Sequence, residues 1–383
     1  MDMRYKLRCL GYAEVDDDIW FASLYFNGLI QLDRRTGQIK SARKFPDYGI
    51  SHVWLYATVC QVKEYIICVP FQSEKIVSYN IQTQKFQSFA LDLEKVGKRQ
   101  RYYASAFVYG KYVYMFPVEA KCMIRFDVQK NSIKYLDNGL TLISEALPEK
   151  AECFVLQHAI VNKKVYIPFA GLNAVAVFEP EKECLDIEYL NIDDGCSTIN
   201  YHDGFFYMAS WKACKIYRWD YQTGDIMTFD TFPKNFIPGE YSFWGTYVIG
   251  KQIFYLPVQA NMIVSLDTDT GDLCEGVKIS NSCNEIWNTF SCKMSNGKVY
   301  VNVAGDDDFC ILEYGDGKRM IQPYSHKGTL PGKDVISDFL LDYQYYDSMV
   351  DRIRKYIQII AGSNEKVKSK KTNNYGRLIW KTM

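Results

Sequence analysis

Trp219-Asp220-Tyr221-Gln222-Thr223-Gly224-Asp225-Ile226 has two close copies in the same chain, LDRRTGQI at 32–39 and LDTDTGDL at 266–273. All three share Asp-x-x-Thr-Gly. An Asp in this position can accept backbone N–H bonds across a tight turn, and the Gly supplies the positive φ that closes a hairpin without strain. A hairpin turn written three times predicts a repeated β unit. With Asp33, Asp220 and Asp267 as anchors, Asn80 (YNIQTQKF), Asp127 (FDVQKNSI), Glu179 (FEPEKECL) and Glu313 (LEYGDGKR) fill the gaps, at spacings of 47, 47, 52, 41, 47 and 46 residues. A calcium-loop reading of the motif lacks the alternating acidic ligands that such a loop needs.

Other columns support the register. Fourteen residues before each anchor stand Ile19, Ile66, Val113, Val165, Phe206, Ile253 and Val299, all apolar. Thirteen before stand Trp20, Ile67, Tyr114, Tyr166, Tyr207, Phe254 and Tyr300, aromatic in all but one, a column expected in the core between units. Each repeat reads as four strands. In the sixth, strand a is 243–249, a Gly250-Lys251 turn follows, strand b is 252–258, strand c is 262–266, and strand d begins at Asp272. Asn131, tolerant of positive φ, stands near the Gly position of the third turn.

Four-strand repeats of about 40–50 residues predict a β-propeller, because each small sheet buries its faces only by stacking on its neighbours. The expected fold is all-β: seven four-stranded antiparallel blades over residues 5–325, followed by a C-terminal α-helical extension. This region resembles the seven-bladed propeller superfamily, and its D-x-x-T-G turn is similar to that of quinoprotein-like and lactonase-like propellers. The Gly-Gly pair of kelch repeats and the regular Trp-Asp of tryptophan–aspartate repeats are absent. The resemblance implies a fold and little about activity, since propellers host many functions.

Beyond the repeats the period changes. Ile336, Phe339, Leu340, Tyr343, Val350, Ile353, Ile357 and Ile360 recur at helical spacing, with Asp334 placed as an N-cap. A basic stretch at 366–371 and a short amphipathic end at 375–383 complete a second region, 333–383. The helix is expected to pack on the propeller with the basic stretch as a solvated linker; the sharper reading docks a partner or an anionic surface there.

Composition narrows the function classes. Of 383 residues 48% are hydrophobic and 15% aromatic, including 30 Tyr, which suits packed strands. Lys+Arg and Asp+Glu are both 45, and zero net charge counts against a general nucleic-acid or anionic-membrane role. No apolar run reaches transmembrane length, the start lacks the apolar core of a secretory signal, and there is no N-x-[ST] acceptor. Twelve scattered Cys include no C-x-x-C pair. Together these predict a cytoplasmic chain with reduced thiols.

Candidate site residues follow from strand phase. Gly11, Thr58, Ser105, Gln157, Thr198, Gly245 and Ser291, 22 before each anchor, form a small or polar column suited to a crowded axis. Steps of two outward from it reach His52, Trp54, Arg101, Tyr103, Asp194, Tyr241, Glu285 and Trp287. These aromatics and charges converge on the channel mouth, where they could stack a glycan or grip a peptide or protein partner, or simply pack the blade tops. Four His are too few for a His-rich metal site, and of these His158 is read as a core residue. Asp306, Asp307 and Asp308 in the last b–c loop could hold a hard cation with Glu285 and Asp194, although most such acidic runs are solvated loops, which is the reading adopted. No metal and no cofactor is expected, since G-x-S-x-G, Walker A and G-x-G-x-x-G are all absent. The leading expectation is a non-catalytic binding or scaffold propeller. The alternative is a lyase, lactonase or glycoside-processing enzyme using Asp194, Glu285, Arg101 and His52.

Because the repeats need no strand from the C-terminal region, removal of residues 332–383 is expected to leave a folded propeller. Circular dichroism melting of the truncated chain checks this; a much lower melting temperature would make the helix part of the core.

Overall fold

The computed structural model describes residues 9–24, 26–33, 39–49, 52–137 and 157–278, and the strands at 289–295, 298–304, 308–315 and 322–327. The C-terminal helix expected at 335–360 lies outside the described residues, as does the first Asp-x-x-Thr-Gly turn.

The described strands pair into seven four-stranded antiparallel sheets, each made of four consecutive strands in the order a-b-c-d. The sixth has strand a at Phe243–Ile249, b at Gln252–Pro257, c at Met262–Asp267 and d at Leu273–Lys278, close to the expected bounds. The last strand of the seventh sheet is Gln322–Lys327, so His326 belongs to that sheet instead of following it. The single described helix is one turn, Leu93–Val96, capped by Asp92 through the N–H of Glu94.

The c–d turns form as the motif demands. Asp220 Oδ1 accepts from the N–H groups of Gln222 (2.9 Å) and Thr223 (3.3 Å), and Asp267 Oδ1 does the same for Asp269 and Thr270. Gly224 and Gly271 stand at φ +82° and +77°. In the second, third and fourth repeats Gln84, Asn131 and Glu183 take that left-handed conformation instead. The Thr tightens the turn from its far side, where Thr223 and Thr270 accept through Oγ1 from the N–H two residues on.

Strand b decides how the sheets stack. Its successive side chains point to opposite faces. Tyr114 of the third sheet packs with Ile167 and Phe178 of the fourth, Tyr166 of the fourth with Phe206 of the fifth, and Tyr207 of the fifth with Phe243 and Tyr255 of the sixth. The preceding column faces the other way: Val113 packs towards the second sheet and Phe206 towards the fourth. Neighbouring sheets also meet through their first strands, which places strand a innermost. At the opposite face, Glu183 of the fourth sheet binds Arg125 and Lys134 of the third. These cationic partners hold its carboxyl below the usual range although burial opposes them.

Tyr207, 2% exposed, measures the strength of this stacking. Tyr207→Ala is expected to cost about 3–5 kcal/mol, the scale for truncating a buried large aromatic, as read by urea denaturation. A loss below about 1 kcal/mol would contradict its place between sheets.

Candidate functional site

Strand a is not regular where it enters the sheet. In the second, third, fifth, sixth and seventh sheets the register slips by one, between Tyr56 and Thr58, Tyr103 and Ser105, Cys196 and Thr198, Phe243 and Gly245, and Thr289 and Ser291. Each is a β-bulge that adds one residue and reverses the alternation beyond it. Tyr103 is therefore no rim residue. It is fully buried between sheets, and its hydroxyl donates to the Cys122 carbonyl at 3.1 Å. Burial pushes its pKa well up. Tyr56, Cys196 and Phe243 occupy the same buried place in their own sheets.

Outside the bulge, the expected rim positions are held by a device that the strand alternation does not show. The residue 26 before the anchor sits on the d–a loop and pairs with the residue eight before it, on the b–c loop of the same sheet. Arg101 donates from Nε to Glu119 Oε1 at 2.7 Å and from its N–H to Oε2. Tyr241 donates its N–H to Gln259 Oε1 at 2.9 Å. The Trp54 carbonyl accepts from the Gln72 N–H at 3.1 Å. Asp194 accepts from the N–H groups of Trp211, Lys212 and Ala213 at 3.1, 2.8 and 2.7 Å. Arg101 and Asp194, two of the three expected charges, are thus committed to loop structure. The polar residues Gln72, Glu119, Lys212 and Gln259 recur at one register position, a column present in the sequence but invisible to strand phase, since it lies on loops.

Trp54 is partly exposed, with φ +57°, and its ring lies 6.0 Å from that of Phe71. It packs on a small apolar cluster with Leu10, Ala57, Ala104 and Val118. His52 is exposed, its N–H bonded to the Gly49 carbonyl and its ring 5.4 Å from Tyr48. Glu285 and Trp287 lie outside the described residues. Tyr241 is partly exposed and belongs to an aromatic group that sequence reasoning missed. Trp211 stands 4.6 Å from Tyr241 and 5.6 Å from Trp244 between ring centroids, and Lys212 Nζ lies 5.9 Å from the centre of the Tyr241 ring. All three residues are partly exposed. Trp244 is the extra residue of the sixth bulge, which turns it out of the alternation.

Towards the axis, the small and polar column makes cross-sheet contacts. Gln157 reaches the inner edge of the sixth sheet, where its amide donates to the Thr246 carbonyl at 2.6 Å and accepts from the Thr246 N–H at 2.8 Å. Thr198 bonds both Gln157 and the Thr246 hydroxyl, and Asn200 donates to the same carbonyl. A side-chain amide thereby satisfies an otherwise open strand edge. At Gly11 a Cβ would fall 2.0 Å from Thr58 Oγ1, so crowding at the axis excludes any side chain there.

His158 stands beside this column, its ring near those of Phe107 and Phe116 and its Nδ1 3.5 Å from Ser105 Oγ. Although part of the residue's surface is open, the ring is enclosed, and that enclosure pushes the imidazole pKa down to about 4. The depressed value means the unfolded chain takes a proton that the folded chain refuses. Stability is lost as pH falls from about 6.5 to about 4, by at most about 3 kcal/mol. Urea midpoints across that window are expected to fall more steeply for the parent protein than for His158→Gln. Parallel slopes would refute the enclosure.

No protein-family model matches the chain, and no curated protein matches its sequence. Its fold is similar to that of solved structures. Virginiamycin B lyase from Staphylococcus aureus aligns with a TM-score of 0.59 at 12% identity, over 79% of this chain and 96% of that one. The computationally designed Ika8 protein aligns at 0.56 and 10%, over 85% and 90%. The RRP9 WD40 repeats align at 0.55 and 11%, over 79% and 89%. At such identities the likeness shows the fold, of β-propeller type, and nothing finer.

Proposed function

We propose that the seven sheets are the blades of one closed ring, and that the protein is a non-catalytic binding propeller. Its ligand, a peptide, protein or glycan, sits on the face of the d–a and b–c loops. The observation that carries this reading is the division of labour among the rim side chains. Arg101 and Asp194, two of the four residues named for the enzyme alternative, are bound into loop structure, while Trp54, Tyr241, Trp211 and Trp244 are partly exposed. Partly exposed Trp and Tyr are the side chains that carry most binding energy at interfaces.

The thiols support the same reading. Burial pushes Cys122 up to about 11 and Cys68 well above its usual value, so neither is an activated nucleophile. Buried free thiols also favour a reducing compartment, and we place the protein in the cytoplasm. A likeness in fold to a lyase does not bring its chemistry here.

The test is a screen of the full chain on peptide and glycan arrays, repeated with Trp54→Ala and Tyr241→Ala. Each variant is expected to melt within a few degrees of the parent and to weaken the captured ligand by about 1–3 kcal/mol. Variants that unfold, or that bind with undiminished affinity, would sink the rim reading.

A further inference from the structure

The patch of Trp211, Tyr241, Trp244 and Lys212 has a chemistry of its own. Its rings are tilted against each other by 39° and 48°, so they form facets instead of one flat stack. Its backbone donors at Trp211, Lys212 and Tyr241 are already used. The Trp211 N–H is shared between the Gly195 carbonyl at 2.7 Å and Asp194, those of Lys212 and Ala213 point to Asp194, and that of Tyr241 points to Gln259. An extended peptide docks largely through main-chain hydrogen bonds, and here these donors are saturated. A saccharide needs no main-chain partner: its C–H faces stack on aromatic rings and side chains read its substituents.

Charge narrows the class further. Lys215 nearby is neutralised by Asp193. Lys212 is exposed, and among the described residues it has no carboxylate within salt-bridge distance; its one described side-chain contact is the Tyr241 ring. Its backbone is fixed by Asp194, so the ammonium is carried from an anchored position beside the rings.

Resting on the binding reading above, we infer that this patch is a subsite for an acidic oligosaccharide, one sugar stacked on Trp211 or Tyr241 and its carboxylate paired with Lys212. The two proposals fail separately. The probes are a panel of uronate- and sialate-bearing oligosaccharides and their neutral methyl esters, titrated into the full chain by calorimetry with tryptophan fluorescence alongside. At least one acidic member is expected to bind and to shift that fluorescence, with its methyl ester about tenfold weaker. Trp211→Ala is expected to weaken acid and ester alike by about tenfold or more. Lys212→Gln, an exposed change that leaves the anchored backbone in place, is expected to abolish the difference between acid and ester. The inference is overturned if no acidic member binds, if acid and ester bind equally, or if Lys212→Gln leaves their ratio unchanged. Should the panel fail while an immobilised peptide library binds in a Trp54-dependent manner, the saccharide subsite falls and the rim reading stands. Should both fail, both fall.

Discussion

A four-stranded sheet of this size has two apolar faces and no means of covering either by itself. Everything else follows from that constraint. Strand b solves it by alternation, sending one column of side chains to the preceding sheet and the next column to the following one. Tyr114, Tyr166 and Tyr207 each finish the core of a neighbour rather than of their own sheet. Stacking of this kind makes the sheets mutually dependent, and it accounts for the high share of aromatics, whose area serves two sheets at once.

Stacking around an axis creates a second problem, because every innermost strand exposes one unpaired edge. Small residues let the strands approach, as at Gly11, and polar ones answer the open backbone groups. Gln157 does so with an amide that copies a strand's own donor and acceptor, two sheets away from its own. His158 is drawn into the same crowded region and kept neutral by enclosure.

The rim is organised by the bulge at the start of strand a. One inserted residue returns the 24-before position to the core and releases the next side chain, so that Ala57 and Trp244 stand out of phase in their sheets. The loops outside the bulge are then tied together by polar pairs within each sheet. Arg101 and Asp194 are consumed in that work, beside the partly exposed residues Trp54, Trp211, Tyr241 and Trp244.

Local chemistry determined much of this protein from sequence alone. The Asp-x-x-Thr-Gly turn depends on contacts within five residues, so Asp220, Gly224, Asp267 and Gly271 announced their hairpins directly. The apolar columns of strand b recur because every sheet faces the same packing demand, which made the repeat and its strands readable. The mouth was legible only in outline: Arg101 and Asp194 read as polar anchors for a ligand, whereas the structure ties both into loop hydrogen bonds. Tyr103 was misplaced because a bulge is set by how a strand meets its neighbours, and nothing in Tyr103-Ala104-Ser105 marks the extra residue. Trp211 and Trp244 come together from different sheets, and the commitment of Asp194 to three backbone N–H groups depends on a loop 17 residues away. Those are contacts across the fold, and only the tertiary structure could decide them.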